Sequence, residues 1–98
     1  MILAVATIED LYDAAAQAGL LTAAEFAGVV VRVDFRAPDE DVLEGLGVSR
    51  GYTIRYPRHR LSLATGDELT IDGQRYRVRE VRQLGDGSEC RATLSRVT

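Results

Sequence analysis

The sequence predicts an α+β, mainly β domain: a small antiparallel β-barrel or sandwich with an N-terminal helix and a long mobile loop. Three observations predict it. Residues 65–94 hold three short alternating runs separated by Asp72-Gly73 and Asp86-Gly87, pairs that accept the positive φ angles of tight hairpin turns, so this third should fold as a meander. Residues 29–36 and 52–56 alternate apolar and polar side chains with a period of two. Thr7-Ile8-Glu9-Asp10 sets a hydroxyl three residues before a carboxylate, ahead of Ile8, Leu11, Tyr12 and Ala15 at helical spacing.

Taken in order, the first helix should stop at Gly19. A second start signal, Thr22-Ala23-Ala24-Glu25, is cut off by Gly28, which leaves room for at most one turn of helix. Residues 1–27 therefore read as a helical lead, and residues 28–98 as the barrel of a single domain spanning 1–98. Val29, Val31, Val33 and Phe35 form one face of the first strand, which Ala37-Pro38 ends because proline has no N–H for a ladder. Residues 38–51 combine Asp39, Glu40, Asp41 and Glu44 with three glycines and apolar Val42, Leu43, Leu46 and Val48. Repulsion and low backbone stiffness make this a mobile loop, and loops of that length in small domains are commonly functional.

Tyr52, Ile54 and Tyr56 give the second strand its inner face, and Pro57 terminates it. After Arg58-His59-Arg60, Leu61 and Leu63 lead into a turn at Gly66-Asp67. Leu69 and Ile71 line the third strand, Tyr76 and Val78 the fourth, and Cys90, Ala92 and Leu94 the last. The apolar phase slips by one residue between Arg79 and Val81, which a bulge near Glu80 would absorb. The expectation is five strands after a helix.

A chain of 98 residues supports one core, and 46% hydrophobic with 28% charged residues is an ordinary globular composition. All twelve basic residues are arginine, as GC-rich coding alone would produce. Charge is divided unevenly. Residues 1–49 carry nine carboxylates against two arginines, net −7, whereas residues 50–98 carry ten arginines against six carboxylates, net +4. Such a split suits two different partners, or copies packed head to tail. Cys90 stands alone, which fits a reducing compartment, and the apolar residues 1–6 lack the basic flank of a signal peptide and fall short of a membrane span. The protein is expected in the cytoplasm, away from membranes.

The residues offer no catalytic constellation. His59 lies between two arginines and reads as a surface or interface histidine; with Cys90 it supplies only half a zinc site. Asp39-Glu40-Asp41 lacks the glycine and distal glutamate of a calcium loop, and no serine sits in a nucleophile elbow. No metal, cofactor or enzyme activity is expected. Arg55, Arg75, Arg77 and Arg79 form a candidate basic face that would track phosphates of a nucleic acid. That face lacks aromatic stacking residues, so the simpler reading pairs these arginines with Glu68, Asp72 and Glu89 or with an acidic neighbouring subunit.

The order of helical lead, proline-ended strand, long loop and basic strand, followed by Gly66-Asp67-Glu68-Leu69-Thr70-Ile71, Tyr76-Arg77-Val78 and Asp86-Gly87-Ser88-Glu89-Cys90, resembles the head-tail joining (connector or attachment) proteins of lambda-like tailed phages. The likeness runs most clearly from Leu61 to Leu94. It implies a structural, non-enzymatic virion protein of a phage or prophage, assembled in the host cytoplasm as a six-membered ring between head portal and tail, with no cofactor. A tail-completion protein of the same particle would look similar in sequence. On this reading the loop residues Asp39, Glu40, Asp41, Val42, Leu43, Glu44, Leu46 and Val48 form an assembly interface.

Overall fold

The computed structural model describes residues 7–38 and 51–97. Helix α1 (Ile8–Gln17) is followed by six strands: β1 (Thr22–Phe26), β2 (Val29–Arg36), β3 (Tyr52–Pro57), β4 (Glu68–Ile71), β5 (Gln74–Leu84) and β6 (Glu89–Arg96). All neighbouring strands are antiparallel, and the order β1-β2-β3-β6-β5-β4 closes on itself through a β1–β4 pairing. Closure pairs β1 with β4, so that neither is left as a terminal strand of the sheet.

The α1 signal is realised as read. Thr7 Oγ1 accepts from the Asp10 amide at 3.0 Å while Asp10 Oδ2 accepts from the Thr7 amide at 3.2 Å, a reciprocal capping box. The second start signal is corrected: Thr22-Ala23-Ala24-Glu25 is strand β1, so the helical lead ends before it and the barrel has six strands. Ala24 faces Val31 on one side and Ile71 on the other and is fully buried. Two alanines favour a helix locally, but pairing with β2 and β4 on both sides overrides propensity. Gly28, read as a helix stop, is half of a two-residue hairpin turn with Ala27, both at positive φ (53° and 83°).

The meander follows its turn chemistry. Asp72 and Gly73 both take positive φ (51° and 79°), which joins β4 to β5 by a tight hairpin. The β5–β6 register shifts between Val78 and Glu80, where the phase slip calls for a bulge, and Arg79 is the extra residue. The core is the set of inward positions read from alternation: Val31, Val33, Ile54, Tyr56, Leu69, Ile71, Tyr76, Val78, Cys90, Ala92 and Leu94, with Leu61 from the β3–β4 connection. Among the described residues no buried side-chain polar atom lacks a hydrogen-bond partner. Cys90 is a free, buried thiol beside Tyr56 on the adjacent strand. The candidate interface residues Asp39, Glu40, Asp41, Val42, Leu43, Glu44, Leu46 and Val48 lie outside the described residues.

Both ends of the segment that contains them are held by the barrel. Phe35 near the end of β2 stacks on Tyr52 at the start of β3, with ring centroids 5.9 Å apart and planes 3° from parallel. Tyr76 meets both rings edge-on, and the Arg96 guanidinium lies 5.8 Å from the Tyr52 centroid. Next to this cluster, a Cβ on Gly51 would lie 2.8 Å from the Leu94 carbonyl oxygen and 3.2 Å from Thr93 Cγ2. Gly51→Ala should therefore push β3 from β6 and lower stability by about 1–3 kcal/mol, the usual range for overpacking. Chemical denaturation checks this, and an unchanged midpoint would show that the backbone relaxes freely there.

Candidate assembly surface

Helix α1 lies against the outside of the barrel, on β2 and β3. Its capping box starts it at Thr7, so the 3.6-residue period turns Tyr12 towards the wall and Glu9 and Asp13 towards the β3–β4 connection. Tyr12 is the helix's buried residue. Its hydroxyl donates to Glu89 Oε2 on β6 at 2.7 Å, and Arg55 Nη2 on β3 donates to Glu89 Oε1 at 3.3 Å. Burial first, then the hydrogen bond to the Glu89 carboxylate, raises the Tyr12 phenol well above its ordinary 10.0.

A second tether comes from Arg60. Its guanidinium forks onto Asp13, with Nη1 to Oδ1 at 2.8 Å and Nη2 to Oδ2 at 3.1 Å, and Nε reaches Glu9 Oε1 at 3.4 Å. The Arg60 hydrogen bond holds the Asp13 carboxyl below its ordinary 3.8. Part of the acidic half thus meets part of the basic half within one chain. His59, beside Arg60, is exposed.

The candidate basic face is divided by the topology. Arg75 and Arg77 project outward from β5 and both donate to Glu68 on β4, at 2.6 Å and 2.8 Å. The Arg77 hydrogen bond, then that from Arg75, lowers the Glu68 carboxyl below its ordinary 4.5. Arg55 stands two strands away from β5, bound to Glu89. Arg79, at the bulge, has no ion pair among the described residues. The expected partners Glu68 and Glu89 are therefore the real ones, whereas Asp72 serves the β4–β5 turn. Tyr56 and Tyr76 point into the core and Tyr52 belongs to the cluster with Phe35, so these three give the outer wall no stacking platform.

Two hollows flank α1. One is lined by Ile8, Leu11, Ala15 and Leu21 over a polar floor of Asp34, Arg55 and Glu89, with a volume of about 260 Å³. The other lies between Ala16, Asp13 and Arg60 and the outward face of β2 at Val30 and Arg32. Large apolar side chains stay exposed around them: Leu11 by 56%, Val30 by 62%, Leu20 by 72% and Val29 by 55%. Sequence reasoning set Leu11 on the helical apolar stripe and Val29 on the face shared with Val31 and Val33, placed Val30 on the opposite face with Arg32, where it is exposed, and passed over Leu20. The missing signal is that α1 sits on the barrel wall, which no periodicity within a single element records. Among the described residues no group of three potential metal ligands converges, and no helix is long and apolar enough to cross a membrane.

A helix-capped, closed barrel whose exposed features include apolar hollows and arginines, several of them paired with its own carboxylates, has the character of a docking part. The model of the family described as Phage Head-Tail Attachment protein matches residues 3–94, from before α1 to Leu94, the last inward residue of β6. The chain belongs to this family. As a head-tail attachment protein it has a structural role in joining phage heads to tails, and its partners are head and tail proteins of the virion. No curated protein matches the chain.

The pH response of this attachment protein follows from its tethers. Asp13 and Glu68 are held below their ordinary values in the folded state, so the stability they confer is present above those values and is lost as pH falls through the lowered ones. Arg60→Ala removes the partner of Asp13, so thermal melts from about pH 6 to about pH 2 should show a shallower acid loss than the parent chain. Equal slopes would mean that the Asp13 tether adds nothing to stability. On the alkaline side Tyr12 and Tyr56 are both held neutral, chiefly by burial, so stability present below 10.0 should fall as pH rises beyond it. Tyr12→Phe should soften that alkaline loss.

Proposed function

We propose that this chain is a structural, non-enzymatic protein that forms a ring, six-membered by resemblance to the lambda-like joining proteins, between the head portal and the tail. It is assembled in the host cytoplasm and carried in the virion of a phage or prophage. The observation that carries this reading is the family match across residues 3–94, which takes in the helix, β1 to β5 and most of β6. The closed barrel supports it by supplying a compact unit with no terminal strand, which favours contacts between copies through side chains and connecting segments. A closed ring needs two different complementary faces on each subunit, and a chain with an acidic first half and a basic second half supplies them.

Within this reading the segment from Asp39 to Val48 makes subunit or tail contacts. It concentrates Asp39, Glu40, Asp41 and Glu44 beside Val42, Leu43, Leu46 and Val48. Nucleic-acid binding through Arg55, Arg75, Arg77 and Arg79 gains no support, because three of the four are engaged with carboxylates of their own barrel.

Deleting residues 39–48 should leave the thermal transition of the barrel nearly in place and abolish joining of purified heads to tails. A deletion variant that still joins them would overturn the assignment of this segment. Negative-stain electron microscopy of the full chain with portal protein should show rings at the portal vertex, and their absence would overturn the ring. Pull-down from an induced lysate should recover portal or tail proteins irrespective of nuclease treatment.

A further inference from the structure

The register of the barrel wall sets three arginines in one line. Arg55 on β3 is the direct partner of Arg91 on β6, and Arg91 is the direct partner of Arg82 on β5. All three are exposed. Direct cross-strand partners hold their Cβ atoms about 4.5–5.5 Å apart, a position at which like charges oppose one another. Neighbouring carboxylates relieve only the two ends: Glu89 accepts from Arg55 at 3.3 Å and Glu80 from Arg82 at 3.3 Å. Arg91, in the middle, has no ion pair among the described residues. Among the described residues, then, one guanidinium stands without a carboxylate partner between two others, an arrangement that an incoming carboxylate would relieve.

The row does not stand alone. Arg55 also floors the hollow whose lip is Ile8, Leu11, Ala15 and Leu21, so an apolar groove runs into a cationic line. An occupant needs acidic and apolar side chains close together. Phosphates along a nucleic acid match the row but not the groove, whose floor also presents Asp34 and Glu89. The chain itself contains the matching chemistry in Asp39-Glu40-Asp41-Val42-Leu43-Glu44, four carboxylates around two branched apolar residues with no arginine among them.

We propose that the Arg55–Arg91–Arg82 row and the groove beside α1 receive segment 39–44 of a second copy of this chain. The proposal rests on the ring reading only in taking the second copy to be the neighbouring subunit. It assigns the basic face of the interface to β3, β6 and β5 rather than to the Glu68-bound arginines of β5.

The test uses the full chain and a fluorescent peptide of residues 37–50, with binding read by anisotropy. The parent chain should bind, Arg91→Glu should weaken binding at least about tenfold, and Arg75→Glu should leave it unchanged. A peptide with its four carboxylates changed to amides should not bind, and Leu11→Ala should weaken the parent peptide. Because glutamate at position 91 would face Arg55 and Arg82, Arg91→Glu should also melt at a higher temperature than the parent chain, a gain in stability coupled to a loss of binding. Equal peptide binding by the parent and Arg91→Glu chains would overturn the proposal, as would row-dependent binding of a single-stranded oligonucleotide of about a dozen nucleotides in preference to the peptide. Rings that persist with Arg91→Glu would overturn this contact and leave the ring itself standing. Peptide binding that depends on the row in a chain that forms no rings would do the reverse.

Discussion

Two residue pairs, Ala24 with Ile71 and Glu25 with Thr70, turn a curled sheet into a barrel. Without them β1 and β4 would each expose a row of backbone donors and acceptors, and copies of the chain would have an easy route to uncontrolled strand addition. Where β1 passes between Val31 and Ile71 its inward residue is Ala24, which is fully buried. The inward faces of all six strands then share one interior, which Tyr56, Ile54, Ile71 and Leu94 fill most fully. For a protein of the attachment family this matters beyond stability, because a part that must meet specific neighbours has to be inert to unspecific ones.

On the outside of that barrel, charge does more to place elements than to stabilise them. Exposed ion pairs contribute little to folding free energy, since solvent screens them and two long side chains must be ordered to form them. Their geometry is nonetheless informative. Arg60 and Glu89 fix the helix on the wall from two directions, and the polar tethers suffice because Tyr12 supplies the buried contact between them. Glu68 gathers Arg75 and Arg77, which removes one apparent basic patch and leaves the Arg55–Arg91–Arg82 line as the region where like charges stand opposed.

Much of this fold was legible in the sequence because turn residues and alternation are local. Asp72-Gly73 announces its hairpin, the slip at Glu80 announces its bulge, and the inward residues from Leu69 to Leu94 follow from parity alone. Strand β1 was not legible, since Thr22-Ala23-Ala24-Glu25 carries a helix-start pattern and becomes a strand only through partners in β2 and β4. Ala27-Gly28 is a turn whose first residue is an unusual choice, so the hairpin left no clear local mark. On the surface, the pairing of Arg75 and Arg77 with Glu68 could be anticipated from the adjacency of consecutive strands β4 and β5. The docking of α1 and the arginine row could not, because both depend on which strands become neighbours: β3 meets β5 only across β6, and no feature of the individual strands encodes that order.

The stack of Phe35 on Tyr52 has a consequence for how such a protein could diversify. It joins the end of β2 to the start of β3 at the rim of the barrel, so whatever length of chain lies between them begins and ends at fixed points. Closing a longer loop on fixed points is inexpensive, roughly 0.6 kcal/mol for each doubling of its length. The rim therefore acts as a socket: a different connecting sequence could be fitted there while the core and its register stay as they are.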